Sequence, residues 1–212
     1  MKPVIIVGAG GHGRVLADAL LAARHEVLGF IDADPRLTGL SFLGLRVLGG
    51  DEVLAASRQD EVHLVLGVGS VGLPTMRRAL GERLSSQGWS FSTVVHPRAM
   101  VAPGAQLAEG AQVMAGSVVQ TGASVGMCAI VNTGALVDHD CEIGRFTHIA
   151  PGVTLSGGVV VGEGSHIGTG AVIIQGVRLG ARTIVAAGAV VISDDPGEST
   201  LMGVPARRGV DP

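Results

Sequence analysis

Between Val95 and Val191 every sixth residue is aliphatic: Val95, Val101, Leu107, Val113, Val119, Val125, Val131, Val137, Ile143, Ile149, Leu155, Val161, Ile167, Ile173, Leu179, Val185 and Val191. A period of six fits neither an amphipathic helix nor a simple alternating strand, and hexapeptide repeats of this kind predict a parallel β-helix. Three hexads make one triangular coil, with each periodic aliphatic pointing into the prism and stacking on its equivalents in neighbouring coils. Glycine recurs three residues later, as at Gly110, Gly116, Gly122, Gly134, Gly152 and Gly170. A tight corner there favours a residue that tolerates positive φ. Small residues such as Ala105, Ala111, Ala123, Ala135 and Ala171 sit between, with little bulk for a cramped interior. The pattern predicts about five to six coils over residues 95–195.

The glycine slot is broken at Cys128, Asp140, Phe146 and Arg182. Departures from a local rule can mark function, and two of these flank the cluster Asp138-His139-Asp140 and then His148. No long insertion interrupts the hexads, so the prism surface is expected to be smooth. Chemistry must then come from side chains on its faces, completed by a neighbouring subunit.

Residues 1–92 follow a different grammar. Strands are predicted at Pro3–Val7, Glu26–Ile31 and His63–Val68, with helices at Arg14–Ala23, Asp51–Ala56 and Pro74–Ser85. This alternation implies a small Rossmann-like parallel α/β sheet ahead of a β-helix domain at 93–212. Gly8, Gly10 and Gly13 satisfy GxGxxG directly after the first strand, with an acid following at Asp32. Such a loop suits a dinucleotide, but a dinucleotide crevice needs two mononucleotide halves and the first domain supplies only one. One half can cradle a nucleoside diphosphate on backbone amides at a helix amino terminus.

Composition narrows the class further. The chain is 47% hydrophobic and 16% charged, with 34 glycines, yet no apolar run approaches a membrane span. The start of the chain lacks the pattern of a secretory signal, which leads us to expect neither membrane nor export. Cys128 and Cys141 have no zinc or CxxC spacing and suggest a reducing cytoplasm. A net charge of −3 makes no case for nucleic acid. His148 and His166 lie one coil apart and are expected to stack, but no third ligand shares their edge, so no metal is expected.

VGAGGHGRV at the start, FID around Asp32, GVGS at 67–70, VNTGALVDHDCEIGRFTHIAPG at 131–152 and GVPARR near the end carry a resemblance across nearly the whole chain. Their ordered combination resembles the sialic-acid O-acetyltransferase and nucleotide-amino-sugar N-acetyltransferase family of hexapeptide-repeat acyltransferases. The resemblance implies a left-handed β-helix, a homotrimer, and acetyl-CoA bound in the cleft between neighbours. It implies N-acetylation of a nucleotide-linked 4-amino-4,6-dideoxy sugar in bacterial surface-glycan synthesis. The alternatives are O-acetylation of sialic acid or a non-catalytic trimeric scaffold.

Residue by residue, the resemblance implies that His139 is the catalytic base and Asp140 its polarising acid, with Asp138 a rival partner. It implies cofactor contacts at His148, Gly157, Thr169 and Ala187. Gly10, Gly11, His12, Asp32 and Gly69 match its nucleotide-sugar pocket, with Arg77 a weaker candidate. Cys141 occupies an interior slot and reads as a buried thiol. Arg207 and Arg208 divide evenly between a solvated tail and contact with CoA phosphates. The nucleotide, UDP or GDP, is not legible.

Overall fold

The computed structural model describes residues 2–209. Its first unit runs β1 (Val4–Val7), α1 (Gly11–Ala22), β2 (Val27–Ile31), β3 (Ser41–Phe42), β4 (Leu45–Gly49), α2 (Asp51–Ala55), β5 (His63–Leu66) and α3 (Thr75–Ser86). The sheet order is β3-β4-β2-β1-β5. All pairs are parallel except β3 with β4. Each residue of β1 is buried, as a central parallel strand covered on both faces requires. The connections leave β1 towards β2 on one side and return to β5 on the other. The sheet therefore has a switch point at β1, where an open α/β sheet forms a crevice at its carboxyl edge.

The β3–β4 hairpin departs from the sequence reading, which placed no strand there. Its turn is Leu43-Gly44, with φ of 52° and 79°. Two positive values are the mark of a type I′ turn, but leucine stands where asparagine or aspartate usually announces one.

The second unit is a left-handed parallel β-helix of two-residue strands from Val94–Val95 to Val190–Val191. A spacing of eighteen residues sets the register, as in Val94↔Gln112, Ile130↔His148 and His148↔His166. The first face carries Gln112, Ile130, His148 and His166 outward and is extended by a hairpin of Thr200–Gly203 with Ala206–Arg208. The second face presents Met100, Val118, Leu136, Thr154, Val172 and Val190. The third presents Gln106, Ser124, Glu142, Val160 and Arg178. Inside, the periodic aliphatics are stripped of solvent: Val113, Val119, Val131, Val137 and Ile149 are each 0% exposed. Full burial of such a side chain contributes about 1.5–3 kcal/mol.

All four departures from the glycine slot adopt the left-handed conformation: Cys128 at φ 54°, Asp140 at 58°, Phe146 at 55° and Arg182 at 55°. Three of them share the edge between the third and first faces, and two of those dock the domains. Phe146 is buried against α3, where a Cβ on Gly81 would come within 2.7 Å of its ring. Arg77 bonds the carbonyl of Cys128. Ion pairs Arg78–Glu163 and Arg145–Glu82 reinforce the same seam. Only Asp140 stands on a different edge.

Candidate active site

At the carboxyl edge of the α/β sheet a cavity of about 830 Å³ is lined by Gly8, Gly10, Gly11, His12, Asp32 and Gly69. Gly10 precedes the first turn of α1 with extended backbone, leaving the helix amino terminus open to the cavity. Asp32 fixes the loop: its Oδ2 accepts from the Ala9 amide at 2.8 Å and its Oδ1 from the Asp34 amide at 2.9 Å. The opposite wall is one face of α3, with Met76, Ala79, Leu80 and Arg83.

Arg77 corrects the sequence reading. It belongs to the other face of α3 and is 1% exposed. Its Nη1 donates to the carbonyls of Leu66 and Val68 at 2.8 and 2.6 Å, and its Nη2 to that of Cys128 at 3.0 Å. It ties the domains together behind the cavity, and the cation that lines the cavity is Arg83.

His12 and Gly69 also line a second cavity of about 430 Å³, with Ser70, Asn132, Thr133 and His148. The cleft therefore runs from the glycine loop onto the β-helix. His12 Nε2 lies 2.7 Å from Gln112 Oε1. Gln112 Nε2 donates to the Leu66 carbonyl, so its oxygen faces the imidazole and His12 Nε2 carries the hydrogen. Burial, helped by the nearby Arg77 charge, pushes His12 down to about 4. It is a neutral ring with Nδ1 left as an acceptor. His148 is 7% exposed and likewise neutral, pushed to about 3 mainly by burial and then by His166. Its Nδ1 faces the Ser70 carbonyl at 3.2 Å and its Nε2 the Asn132 amide nitrogen at 3.1 Å. Both nitrogens are thus engaged in holding the cleft wall. The His148 and His166 rings stack edge to face at 5.0 Å.

His139 lies elsewhere, on the edge between the second and third faces, and lines neither cavity. Its Nδ1 is 2.9 Å from Asp140 Oδ2, whereas Asp138 Oδ1 accepts from the His139 backbone amide at 2.7 Å. Asp140 is therefore the partner of the ring. A carboxylate only accepts, so Nδ1 carries the hydrogen and Nε2 offers the lone pair. The hydrogen bond to Asp140, and then the charge of Asp138, raise the imidazole above its ordinary value.

Gly157 sits one coil on, directly beneath: a Cβ there would overlap Nε2 and Cε1 of His139. Thr169 and Ala187 are exposed neighbours in successive coils, on the edge between the first and second faces, with Gly188 N donating to Thr169 O at 2.9 Å. The expected site residues thus fall in three places on one chain.

Cys141 is 0% exposed, its thiol pushed up by burial, and its Sγ donates to the Ser156 carbonyl. Arg208 is folded back onto buried Asp195 at 2.7 Å. Among the described residues no group of three or more His, Cys, Asp or Glu side chains gathers for a metal, and no helix is long and apolar enough to cross a membrane.

A hexapeptide-repeat prism joined to a single Rossmann-like half is the architecture of a hexapeptide-repeat acyltransferase. Comparison with known proteins narrows the class. The PglD N-terminal domain family matches residues 3–84. A solved structure of PerB from Caulobacter crescentus, in complex with CoA and GDP-perosamine, is 39% identical, covers 99% of this chain and 98% of its own, and superposes with a TM-score of 0.90. The acetyltransferase domain of PglB from Neisseria gonorrhoeae, in complex with acetyl coenzyme A, is 36% identical over 98% of both chains, with a TM-score of 0.89. WeeI from Acinetobacter baumannii, at 24% identity, 98% and 100% coverage and a TM-score of 0.86, shares the fold. Comparison with curated protein sequences gave no match. The chain belongs to the nucleotide-amino-sugar N-acetyltransferases of the hexapeptide-repeat family, and it is an acetyl-CoA-dependent enzyme.

Proposed function

We propose that the protein is a cytoplasmic homotrimer that acetylates the 4-amino group of a nucleotide-linked 4-amino-4,6-dideoxy sugar, at three sites each built from two subunits. One observation carries this. The second face is the apolar, uncovered side of the prism, with Met100 49% and Leu136 43% exposed. The first face lies under the α/β domain, and the third is polar. The second face is also bordered by both functional edges, His139–Gly157 on one side and Thr169–Ala187 on the other. Packing three such faces about an axis parallel to the prism brings the His139 edge of one subunit against the Thr169–Ala187 edge of the next. Thr133, on the latter edge, lines the inner end of the cleft. It lies one-third of a coil from the level of His139, and whole coils are spaced by only ~4.8 Å. The neighbour's imidazole therefore stands level with the amino sugar.

In this reading the diphosphate rests at the amino terminus of α1, near Gly10 and Gly11, and Asp32 faces the ribose. The sugar extends past His12 and Gly69 towards Asn132. Acetyl-CoA lies in the groove between subunits against Thr169 and Ala187, its thioester oxygen near the Gly157 amide. His139 Nε2 takes a proton from the amine as nitrogen attacks the thioester carbon. The tetrahedral oxyanion is stabilised by a backbone N–H, then collapses and expels CoA thiolate, which the imidazolium protonates. Such a base is worth roughly 10²–10⁴-fold. The ligands of the Caulobacter protein, and two complexes of it solved with a single histidine replaced, support this reading. The buried, unpaired cysteines accord with a cytoplasmic setting.

Purified enzyme is tested with acetyl-CoA and GDP- or UDP-linked 4-amino-4,6-dideoxy sugars. A trimeric mass and sequential kinetics giving an amide product are expected. Ping-pong kinetics, or full activity in a monomer, contradict the proposal.

A further inference from the structure

The far end of the larger cavity carries chemistry that the roles above do not use. Past Asp32 the wall continues through Gly50, Asp51 and Glu52, and Met76, Leu80 and Arg83 of α3 face them. The Asp32 amide donates to the Gly49 carbonyl at 2.9 Å, which sets the Gly50–Asp51 turn directly beside the ribose end of the site. Arg83 Nη1 bonds Asp51 Oδ2 at 2.8 Å and links the two walls. Glu52 is committed locally, its Oε1 accepting from the Gly50 amide at 2.7 Å. Asp51 differs in being held from the facing helix: Arg83 takes its Oδ2, leaving Oδ1 free among the described residues, and each carboxylate oxygen can accept more than one hydrogen bond.

We propose that Asp51, held by Arg83, reads the base of the bound nucleotide and selects guanine over uracil. This rests on the nucleotide-sugar reading above. With the diphosphate at α1 and the ribose at Asp32, the base falls between the Gly50–Asp51 turn and the Met76–Leu80 face of α3. The two apolar side chains cover its plane and the carboxylate meets its edge. Guanine presents two adjacent donors, N1–H and the N2 amino group, which one carboxylate accepts in a paired, charge-assisted contact. Uracil presents a single N3–H between two carbonyl oxygens. A carboxylate that accepts from it places its second oxygen against one of those carbonyls. The same group thus attracts one base and repels part of the other, which is specificity by both means. Arg83 is a positioning residue: it fixes the carboxylate at this end of the cavity.

The test is calorimetric titration of the full-length enzyme with GDP and with UDP, alongside acetyl transfer to the matching nucleotide sugars. Wild type is expected to bind GDP roughly ten- to a hundredfold more tightly than UDP. Asp51→Asn should erase most of that preference, because an amide presents a donor to guanine N1–H or N2. It should leave CoA affinity near wild type. Arg83→Lys should keep the preference and Arg83→Gln should weaken it. The Asp51–Arg83 pair is exposed and contributes little to folding, so these variants remain folded. Equal affinities in wild type, or an undiminished preference in Asp51→Asn, overturn the inference and leave acetyl transfer standing. Failure to bind either nucleotide overturns the underlying reading as well.

Discussion

The imidazole of His139 stands on the Cα of Gly157, one coil further along the same edge, with no room between them for a Cβ. Gly157 does not adopt a left-handed backbone, so alanine is acceptable to the main chain and intolerable to the ring. Gly157→Ala is therefore expected to displace the base without unfolding the prism. Misplacement by about 1 Å costs about 10²-fold in rate. Steady-state kinetics should show that loss in kcat, with an unchanged melting temperature. A fully active Gly157→Ala enzyme would detach the ring's position from the chemistry.

The base must be neutral to act, and Asp140 and then Asp138 raise its pKa. Activity should therefore rise with pH through an inflection above the ordinary histidine value of ~6.5. Asp140→Asn removes the leading cause of the shift, so the inflection should move to lower pH while the plateau falls. His139→Ala should lose roughly 10²–10⁴-fold and the inflection with it. A pH–rate profile of Asp140→Asn matching that of wild type would contradict the pairing.

His12 and His148 behave oppositely. Their folded values, about 4 and about 3, lie below the ~6.5 of the unfolded chain. The unfolded chain takes up protons first, so stability is complete above pH 6.5 and falls as pH drops towards 4. At about 1.4 kcal/mol per unit, His148 alone accounts for about 2 kcal/mol by pH 5. Melting temperature against pH should fall over this window, less steeply in His148→Gln. An equal slope in both would refute the assignment.

Arg77→Leu should act on stability rather than on the nucleotide. Among the described residues it strips the one side-chain donor to the carbonyls of Val68 and Cys128 at the domain seam, and one of two to that of Leu66, which keeps Gln112. Leucine leaves the Val68 and Cys128 carbonyls without that partner, at a cost on the order of 3 kcal/mol. Denaturant titration measures this. The prediction fails if the variant keeps its stability and loses GDP-sugar affinity instead.

The β-helix was legible because each coil repeats one packing problem, and the same aliphatic solution recurs at every sixth position. The four breaks in the glycine slot were legible too, but their meaning was not. Phe146 and Cys128 break it to dock the α/β domain, and only the packing of that domain separates them from Asp140. Arg77 was placed on the right helix and the wrong face. The 3.6-residue period puts 77, 81 and 84 against the prism and 76, 80 and 83 on the cavity, and the contact of Gly81 with Phe146 settles which face is which. The β3–β4 hairpin was missed because its turn residue is leucine. His148 was matched by motif to a cofactor contact, and the motif is silent on the Ser70 and Asn132 groups that engage its nitrogens at the cleft wall. That difference is a matter of tertiary partners, which no single sequence displays.

The central claim is that each site joins the nucleotide cavity of one subunit to His139 of another. Two variants test it when coexpressed. His139→Ala removes the base, and Gly11→Trp fills the cavity, since nothing lies within 4 Å of a Cβ built at Gly11. Each alone should be nearly inactive. In randomly mixed trimers a site works when an open cavity meets an intact neighbour, which symmetry makes about a quarter of all sites. Recovery of roughly a quarter of wild-type activity is the predicted result. Mixed trimers no more active than the separate variants would mean that each chain uses its own His139, and the composite site would be wrong.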